Sequence, residues 1–310
     1  MRIVFMGTPE YAVPSLKALA ASGHTVVGVF TQPDKPRGRG KKVTASPVKE
    51  TAERMGIPVY QPQKIRADGL DDLIALKPDL CVTAAFGQIL SQSVLDVPVI
   101  GTVNVHASLL PRYRGSSPIP WCILNGEKKT GVTTMLTDAG IDTGDILLTR
   151  ECDIEPNDTT ETLTQKLAQI GASLLIETIS RIENGTCPRT KQDESLMSYY
   201  PKITKEMGTL DFSKSSEHLK DLVRAMDPWP GCTVSIGGEM IKVWSAEAAV
   251  GAGNDVPGTI VAPDSDKGIS IAAADGFLIL RTIQAPGGKR MDSREYLKGH
   301  PVKAVSVDPV

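Results

Sequence analysis

The sequence predicts an α/β protein with a doubly wound, mainly parallel sheet, followed by a small OB-like β-barrel. Short apolar segments alternate with helical segments through the first half of the chain, which is the pattern of repeated βαβ units. The apolar segments are almost continuous, as expected when helices cover both faces of a parallel sheet. The last third of the chain instead carries short strand segments separated by Gly, Pro, Asn or Asp, which favours a small barrel.

The elements of the first domain are predicted from apolar periodicity. The strands are expected over 2–7, 24–31, 57–60, 80–84, 102–105 and 131–137, and the helices over 9–22, 47–55, 68–76 and 159–184. The last helix is the longest, because apolar residues keep helical spacing from Leu163 to Ile182. Asn157–Thr159 can cap its start, and Asn184–Gly185 can end it.

The length of 310 residues is typical of two domains, each large enough to bury a core. We predict a first domain over 1–185, an extended polar linker over 186–207 and a C-terminal domain over 208–310. The C-terminal domain is expected to contain one helix over 215–225. Its five strands are predicted over 232–236, 240–244, 258–261, 268–272 and 277–283.

Composition excludes several classes of protein. Hydrophobic content of 41% and charged content of 23% are ordinary for a globular protein, and the net charge is −2. The first apolar run is too short for a signal peptide and no run approaches a membrane span, so we expect a cytoplasmic protein. The five cysteines are scattered without C-x-x-C spacing, which argues against a disulfide framework or a zinc knuckle.

The turn after the first strand argues against a nicotinamide cofactor. The segment 7–12 lacks the G-x-G-x-x-G pattern, and Pro9 and Glu10 stand where a pyrophosphate needs close backbone amides and no negative charge. The four histidines are far apart in sequence, so no local histidine metal site is predicted, although distant ligands remain an alternative.

Asn104 and His106 form the segment most informative about chemistry. Residues two apart on a strand share a face, so a carboxamide donor lies beside an imidazole at the carboxyl end of a predicted strand. Such a pair suits acyl transfer, in which an N–H stabilises a developing oxyanion and an imidazole accepts a proton. A carboxylate partner is expected in the following turn, where Asp138, Asp142 and Asp145 are all candidates and could equally be turn formers.

These residues also carry a family resemblance. Asn-x-His over 104–106, Ser-Leu-Leu-Pro-x-Tyr-Arg-Gly over 108–115 and Asp-x-Gly-x-Asp-Thr-Gly-Asp over 138–145 resemble the folate-dependent formyltransferases. Further similarity runs from the first strand to Asp-Pro-Trp-Pro-Gly near the C-terminus. The resemblance implies a Rossmann-like catalytic domain, a C-terminal tRNA-binding barrel and transfer of a formyl group. The donor would be 10-formyltetrahydrofolate, and the acceptor would be the α-amino group of initiator methionyl-tRNA.

The resemblance also assigns residues. It selects Asp142 among the three acids, so the implied catalytic residues are Asn104, His106 and Asp142. The implied folate-binding residues are Phe86, Gly87, Gln88, Ile89, Ser108, Leu109, Leu110 and Pro111. The implied tRNA-binding residues are Lys35, Arg37, Arg39, Lys41 and Lys42, with Arg39 as the principal contact. A second basic group on the barrel, which could bind phosphates or be plain surface, comprises Arg281, Lys289, Arg290, Arg294 and Lys298.

Several alternatives share these features. A formyltransferase with a small acceptor, or a formyltetrahydrofolate hydrolase, would use the same three catalytic residues. A nucleic-acid-binding module would keep the basic residues and lack the transfer reaction. A formyltransferase of this kind is expected to need no metal, no membrane and no protein partner, and to act as a monomer.

Overall fold

The computed structural model describes residues 1–37, 42–251, 255–264, 268–300, 302 and 306–307. The chain divides into two compact units, each assembled from separate stretches of sequence. The first unit comprises Met1–Pro118, Lys129–Asp153 and Thr164–Tyr200. The second unit comprises Ile119–Lys128, Ile154–Leu163 and Pro201–Val310.

The first unit is built on a seven-stranded sheet in the order β5-β2-β1-β6-β7-β8-β9. Its strands are β1 (Arg2–Gly7), β2 (Thr25–Phe30), β5 (Val59–Tyr60), β6 (Leu80–Ala84), β7 (Gly101–His106), β8 (Lys129–Leu136) and β9 (Ile146–Asp153). The pairings from β5 to β7 are parallel, whereas β8 and β9 are antiparallel. The predicted fold class, a mainly parallel sheet, is confirmed.

Helices flank this sheet. Those lying wholly in the first unit are α1 (Val13–Ala21), α2 (Pro47–Arg54), α3 (Ile65–Asp68), α4 (Leu70–Leu76) and α5 (Gln92–Leu95). Two others, α6 (Pro118–Leu124) and α7 (Thr160–Glu183), contain residues of both units. The long predicted helix corresponds to α7, and Gly185 follows it with a φ of 67°. Fully buried Phe5, Leu16 and Leu80 belong to the core between sheet and helices.

The basic segment between β2 and α2 is partly regular. A short antiparallel pair, β3 (Lys35–Arg37) and β4 (Lys42–Thr44), brings Lys35 opposite Thr44 and Arg37 opposite Lys42. Apolar periodicity did not predict this pair, because its residues are mostly charged or small.

The second unit contains an antiparallel half-barrel sheet, which confirms the predicted β-rich C-terminal part. Its strands are β10 (Cys232–Ile236), β11 (Glu239–Val250), β12 (Ile260–Asp264), β13 (Gly268–Ala273), β14 (Gly276–Gln284) and β15 (Met291–Asp292). Its helices are α8 (Ser216–Ala225) and α9 (Ser293–Gly299). The inner faces of the sheet bury Ile241, Ile271 and Leu278.

Two further observations bear on function. None of the helices in the described ranges is both long and apolar enough to cross a bilayer. All five cysteines are free thiols. Burial raises the pKa of the Cys81 and Cys232 thiols to about 12, so neither supplies a thiolate nucleophile near neutral pH.

The start of α2 provides a test of this packing. The Ser46 hydroxyl accepts the Lys49 backbone N–H at 3.1 Å and lies 2.7 Å from the fully buried Thr31 hydroxyl. Replacing Ser46 with Ala removes a helix cap and a partner for Thr31, so we expect the free energy of unfolding to fall by about 1–3 kcal/mol. Urea denaturation of the variant measures this change.

Ser91→Ala is the matched control. Ser91 also precedes a helix, α5, but its side chain makes no capping hydrogen bond and pairs with Ser93 at the surface. We expect a change below about 0.5 kcal/mol there. Equal effects at the two serines would contradict the role given to Ser46.

Candidate active site

Strand β7 places Asn104 and His106 on one face of the sheet. It lies between β6 and β8, with Asn104 opposite Thr83 of β6 and His106 opposite Thr133 of β8. His106 is the last residue of the strand. Both side chains therefore stand near the carboxyl edge of the parallel strands, where α/β sheets bind their ligands.

The Asn104 side chain is oriented by its neighbour. The Thr83 hydroxyl donates to Asn104 Oδ1 at 2.9 Å, and Thr83 is buried. This bond fixes which end of the carboxamide faces β6, so the Nδ2 group points elsewhere. The described part of the chain gives Nδ2 no acceptor, and Asn104 is partly exposed. An N–H donor is thus available to an incoming oxygen atom.

The imidazole of His106 lies between two oxygen acceptors. Its Nε2 is 3.0 Å from the Tyr113 carbonyl oxygen, and its Nδ1 is 3.6 Å from Asp142 Oδ1. The ring is 7% exposed. A neutral imidazole carries one N–H and can serve only one of these acceptors, whereas the doubly protonated ring can serve both.

Of the three candidate acids, Asp142 is the one that the structure brings to His106. Its Oδ2 accepts the Gly115 backbone N–H at 2.8 Å, which leaves Oδ1 facing the imidazole. Asp138 instead acts as a turn former, because its Oδ1 accepts from the Gly140 backbone and the Thr143 hydroxyl. Asp142 itself has a φ of 55°, a left-handed conformation that is uncommon for a residue with a side chain.

The segment 108–111 is fixed by a buried threonine. The Thr133 hydroxyl donates to the Ser108 carbonyl at 2.7 Å and accepts the Leu110 N–H at 3.1 Å. The Ser108 hydroxyl donates to the Arg112 carbonyl, so it is used within the loop. Leu109 remains partly exposed, whereas Leu110 is buried. Leu109 and Pro111, both partly exposed, are therefore the apolar side chains of this segment that are open to a ligand.

The segment 86–89 lies at the end of β6. Phe86 is buried in a core cluster, while Ile89 is 75% exposed. The Gln88 side chain bonds backbone groups of Ile65 and Pro62 at 2.7 and 3.0 Å. Among the folate-binding residues implied by resemblance, Ile89 offers an accessible side chain, whereas Phe86 and Gln88 anchor the loop.

A second set of hydrogen bonds holds the segment 86–89. The Thr8 hydroxyl donates to the Phe86 carbonyl at 2.9 Å, and Gln32 Nε2 donates to the Gly87 carbonyl at 3.1 Å. Gln32 also accepts from the Lys35 ammonium at 3.3 Å. The base of the basic hairpin is therefore joined by one side chain to the loop at the end of β6.

The basic residues singled out in the sequence lie in two places, around β3 and β4 and in the second unit. Lys35 is exposed at the start of β3. Arg39 and Lys41 lie outside the described residues, as do the side chains of Arg37 and Lys42. In the second unit, four cations of the C-terminal group pair with carboxylates, and the pairs are Arg281–Glu247, Arg290–Asp227, Arg294–Asp292 and Lys298–Glu295. Lys289, the fifth cation of the group, is exposed. Arg290 also stacks 3.7 Å above the Trp244 ring.

Sequence reasoning missed Thr83, Tyr113, Gly115 and Gln192 as parts of this site. Thr83 could have been found from strand pairing, because it faces Asn104 in the parallel register. Gln192 carried no signal, because it lies in a polar stretch far from the motifs. Within the described ranges, no group of three or more His, Cys, Asp or Glu is arranged to hold a metal ion.

Comparison with known proteins gives matches along the whole chain. The formyl transferase family matches residues 1–179, and the formyl transferase C-terminal domain family matches residues 202–301. A methionyl-tRNA formyltransferase from Ruminiclostridium cellulolyticum is 48% identical over 306 residues, covering 97% of this chain and 97% of that protein.

Solved structures support the fold. An N-formyltransferase from Helicobacter canadensis, solved with folinic acid and dTDP-3-aminofucose, has a TM-score of 0.66 at 24% identity and covers 94% of this chain and 100% of its own. A methionyl-tRNA formyltransferase from Clostridium thermocellum has a TM-score of 0.56 at 16% identity and covers 80% of this chain and 94% of its own. Taken with the full-length identity to the Ruminiclostridium protein, these matches show that the chain belongs to the methionyl-tRNA formyltransferase family.

Proposed function

We propose that this protein transfers the formyl group of 10-formyltetrahydrofolate to the α-amino group of initiator methionyl-tRNA. The observation that carries the proposal is the convergence of Asn104, His106 and Asp142 at one sheet edge, in a chain whose full-length relatives bear this enzyme name. A carboxamide donor, an imidazole and a carboxylate suit amine acylation, in which an oxyanion develops and a proton is lost.

The folate co-substrate fits the loops beside these residues. Pterin and benzoyl rings need apolar walls with a few backbone hydrogen bonds. The exposed Ile89 and the partly exposed Leu109 supply apolar walls, and the exposed Gly87 has no side chain to keep a ring away from its backbone. The formyl group would then be presented towards the free Nδ2 of Asn104.

The reaction joins the amine nitrogen to the formyl carbon and breaks the bond from that carbon to N10. Asn104 Nδ2 donates to the formyl oxygen as it becomes negative, and the Thr83 bond keeps the carboxamide in that orientation. The proton lost by the amine is taken up at His106 and returned to N10, so the products are tetrahydrofolate with a neutral N10 amine and the formamide. A water relays the proton at Nδ1, because this nitrogen lies 3.6 Å from Asp142 Oδ1 and forms no hydrogen bond with it, whereas Nε2 lies 3.0 Å from the Tyr113 carbonyl.

His106 is suited to take up this proton transiently. In the neutral ring, one nitrogen lone pair opposes either the Tyr113 carbonyl or the Asp142 carboxylate. The imidazolium can donate to the Tyr113 carbonyl through Nε2, and the negative charge of Asp142 lies 3.6 Å from the positively charged ring. Asp142 therefore favours the protonated state during the reaction without itself taking the proton.

The proposed acceptor accounts for the remaining features. Basic residues on and around the β3–β4 hairpin can contact tRNA phosphates although the chain as a whole is slightly acidic.

All three proposed catalytic side chains come from one chain, so we propose that a monomer is active. Charged initiator tRNA is present where translation takes place, and we therefore propose a cytoplasmic site of action.

A direct assay tests the proposal. The protein is incubated with 10-formyltetrahydrofolate and either charged initiator tRNA or glycinamide ribonucleotide, and each product is analysed for formyl groups. We expect formylmethionyl-tRNA and no formylated glycinamide ribonucleotide. Formylation of the small acceptor alone would reject the proposed acceptor, and folate hydrolysis without any transfer would reject the proposed reaction.

His106→Ala tests the proton acceptor. Loss of a positioned general base is expected to lower kcat by about 10²- to 10⁴-fold, while binding of the folate is retained. Single-turnover formylation and folate titration measure the two quantities. His24→Ala serves as the control. His24 directly precedes β2, at the amino ends of the parallel strands, whereas His106 lies at their carboxyl ends. A His106 variant with near-normal kcat would exclude the assigned role.

Lys35→Ala tests the tRNA-binding role of the basic hairpin. We expect weaker tRNA binding and a slope of log K against log salt that is smaller by about one, because one phosphate contact is lost. Lys17→Ala removes an equally exposed cation from α1 and should leave both quantities unchanged. Identical salt slopes for the two variants would show that Lys35 does not contact phosphate.

A further inference from the structure

The position of Asp142 depends on more than its own turn. The residue is held in the left-handed region, next to the exposed Ile141. Such a backbone conformation is unfavourable for a residue with a side chain and persists only when surrounding contacts enforce it. The contacts that enforce it here come from the polar segment after α7.

Gln192 supplies these contacts. Its Nε2 donates to the carbonyl oxygens of Asp142 and Gly144, both at 2.8 Å. Its Oε1 accepts from Arg114 Nε at 3.0 Å and from Arg114 Nη2 at 2.8 Å. Every hydrogen-bonding position of this carboxamide is therefore occupied, and one side chain ties two backbone carbonyls of the Asp142 turn to a buried arginine.

Arg114 is itself immobilised. It is 4% exposed, and its guanidinium forms a bidentate pair with Glu194 through bonds of 2.7 and 3.0 Å. These hydrogen bonds hold the pKa of Glu194 below its ordinary value. The Arg114 backbone also pairs with Ser198 and Tyr200, so its position is set from both sides.

The bonds close into a ring. The Asp142 carboxylate accepts from Gly115, Gly115 follows Arg114 in sequence, Arg114 binds Gln192, and Gln192 binds the Asp142 carbonyl. The residue before Arg114 is Tyr113, whose carbonyl faces His106. Both partners of the imidazole are therefore positioned by the short segment 113–115, which reaches Asp142 directly through the Gly115 amide and a second time through Arg114 and Gln192.

We propose that Gln192 is a positioning residue for the formyl-transfer reaction, setting Asp142 against His106 through its two Nε2 hydrogen bonds. The inference rests on the proposed function and adds a residue of the polar segment 186–207 to the catalytic unit. All hydrogen-bonding groups of the Gln192 carboxamide are taken up by protein groups, so its loss should lower kcat and leave the KM values for both substrates little changed.

Two substitutions separate the roles of the two ends of Gln192. Gln192→Glu keeps an oxygen for Arg114 and removes both donors to the Asp142 turn, whereas Gln192→Met removes both functions. If positioning Asp142 is the role, both variants should lose kcat by about 10- to 100-fold. Lys191→Met is the matched control at the neighbouring exposed residue and should retain full activity. A wild-type rate for Gln192→Glu would overturn the proposal.

A double-mutant cycle excludes a general structural effect. In the Asp142→Asn background, the further change Gln192→Glu should add little loss, because both substitutions disable the same function. Fully additive losses would contradict action through Asp142. Thermal unfolding of each variant is measured alongside, and Gln192→Glu is expected to fold because it keeps its charge-assisted bond to Arg114.

Amide hydrogen exchange at Gly115 tests the positioning role of Gln192 without relying on catalysis. The Gly115 amide hydrogen is protected by the Asp142 carboxylate, so its exchange with solvent should accelerate in both Gln192 variants and not in Lys191→Met. Unchanged exchange would reject the positioning role. Failure of the wild-type protein to formylate methionyl-tRNA would reject the proposed function while leaving this measurement valid.

Discussion

The hydrogen bond from the Gly115 amide to the Asp142 carboxylate joins the two loops from which the candidate site is made. Gly115 has a φ of 110°, and a side chain there would overlap the Tyr200 carbonyl oxygen, so this approach is open only to glycine. Tyr113 and Asp142 also have positive φ values. Two unfavourable backbone conformations, at Tyr113 and Asp142, and one that favours glycine therefore lie around His106, and hydrogen bonds within the first unit maintain them.

The chemical core of the site could be predicted from local pattern. Asn104 and His106 share a face because strands have a period of two, and that relation needs no tertiary information. Asp142 was selected only through the family resemblance, because Asp138, Asp142 and Asp145 fit the turn equally well. Gln192 could not be predicted, because its partners lie about 50 and 80 residues away and meet it only after the sheet has formed. Polar side chains without periodicity carry no signal of such contacts.

A strand made of buried residues was predicted correctly, whereas a strand made mostly of exposed residues was missed. Strand β6 coincides with its predicted range, because all five residues are buried and apolar or small. Strand β9 was not predicted, since most of its residues are exposed or half-buried at the edge of the sheet and it includes Arg150, Glu151 and Asp153. Its identity as a strand follows from pairing with β8 and not from its own composition. Tertiary pairing therefore decides the element that closes this edge.

The Arg114–Glu194 pair shows why the network around Asp142 matters for geometry more than for stability. Glu194 is 67% exposed, so solvent screens its charge and weakens its attraction to the buried Arg114 side chain. Its bidentate form nevertheless fixes the plane of the guanidinium, which in turn fixes the Gln192 carboxamide. Because catalysis depends on sub-ångström placement of charge, a set of bonds with small net energy can govern the rate while hardly affecting the stability of the fold.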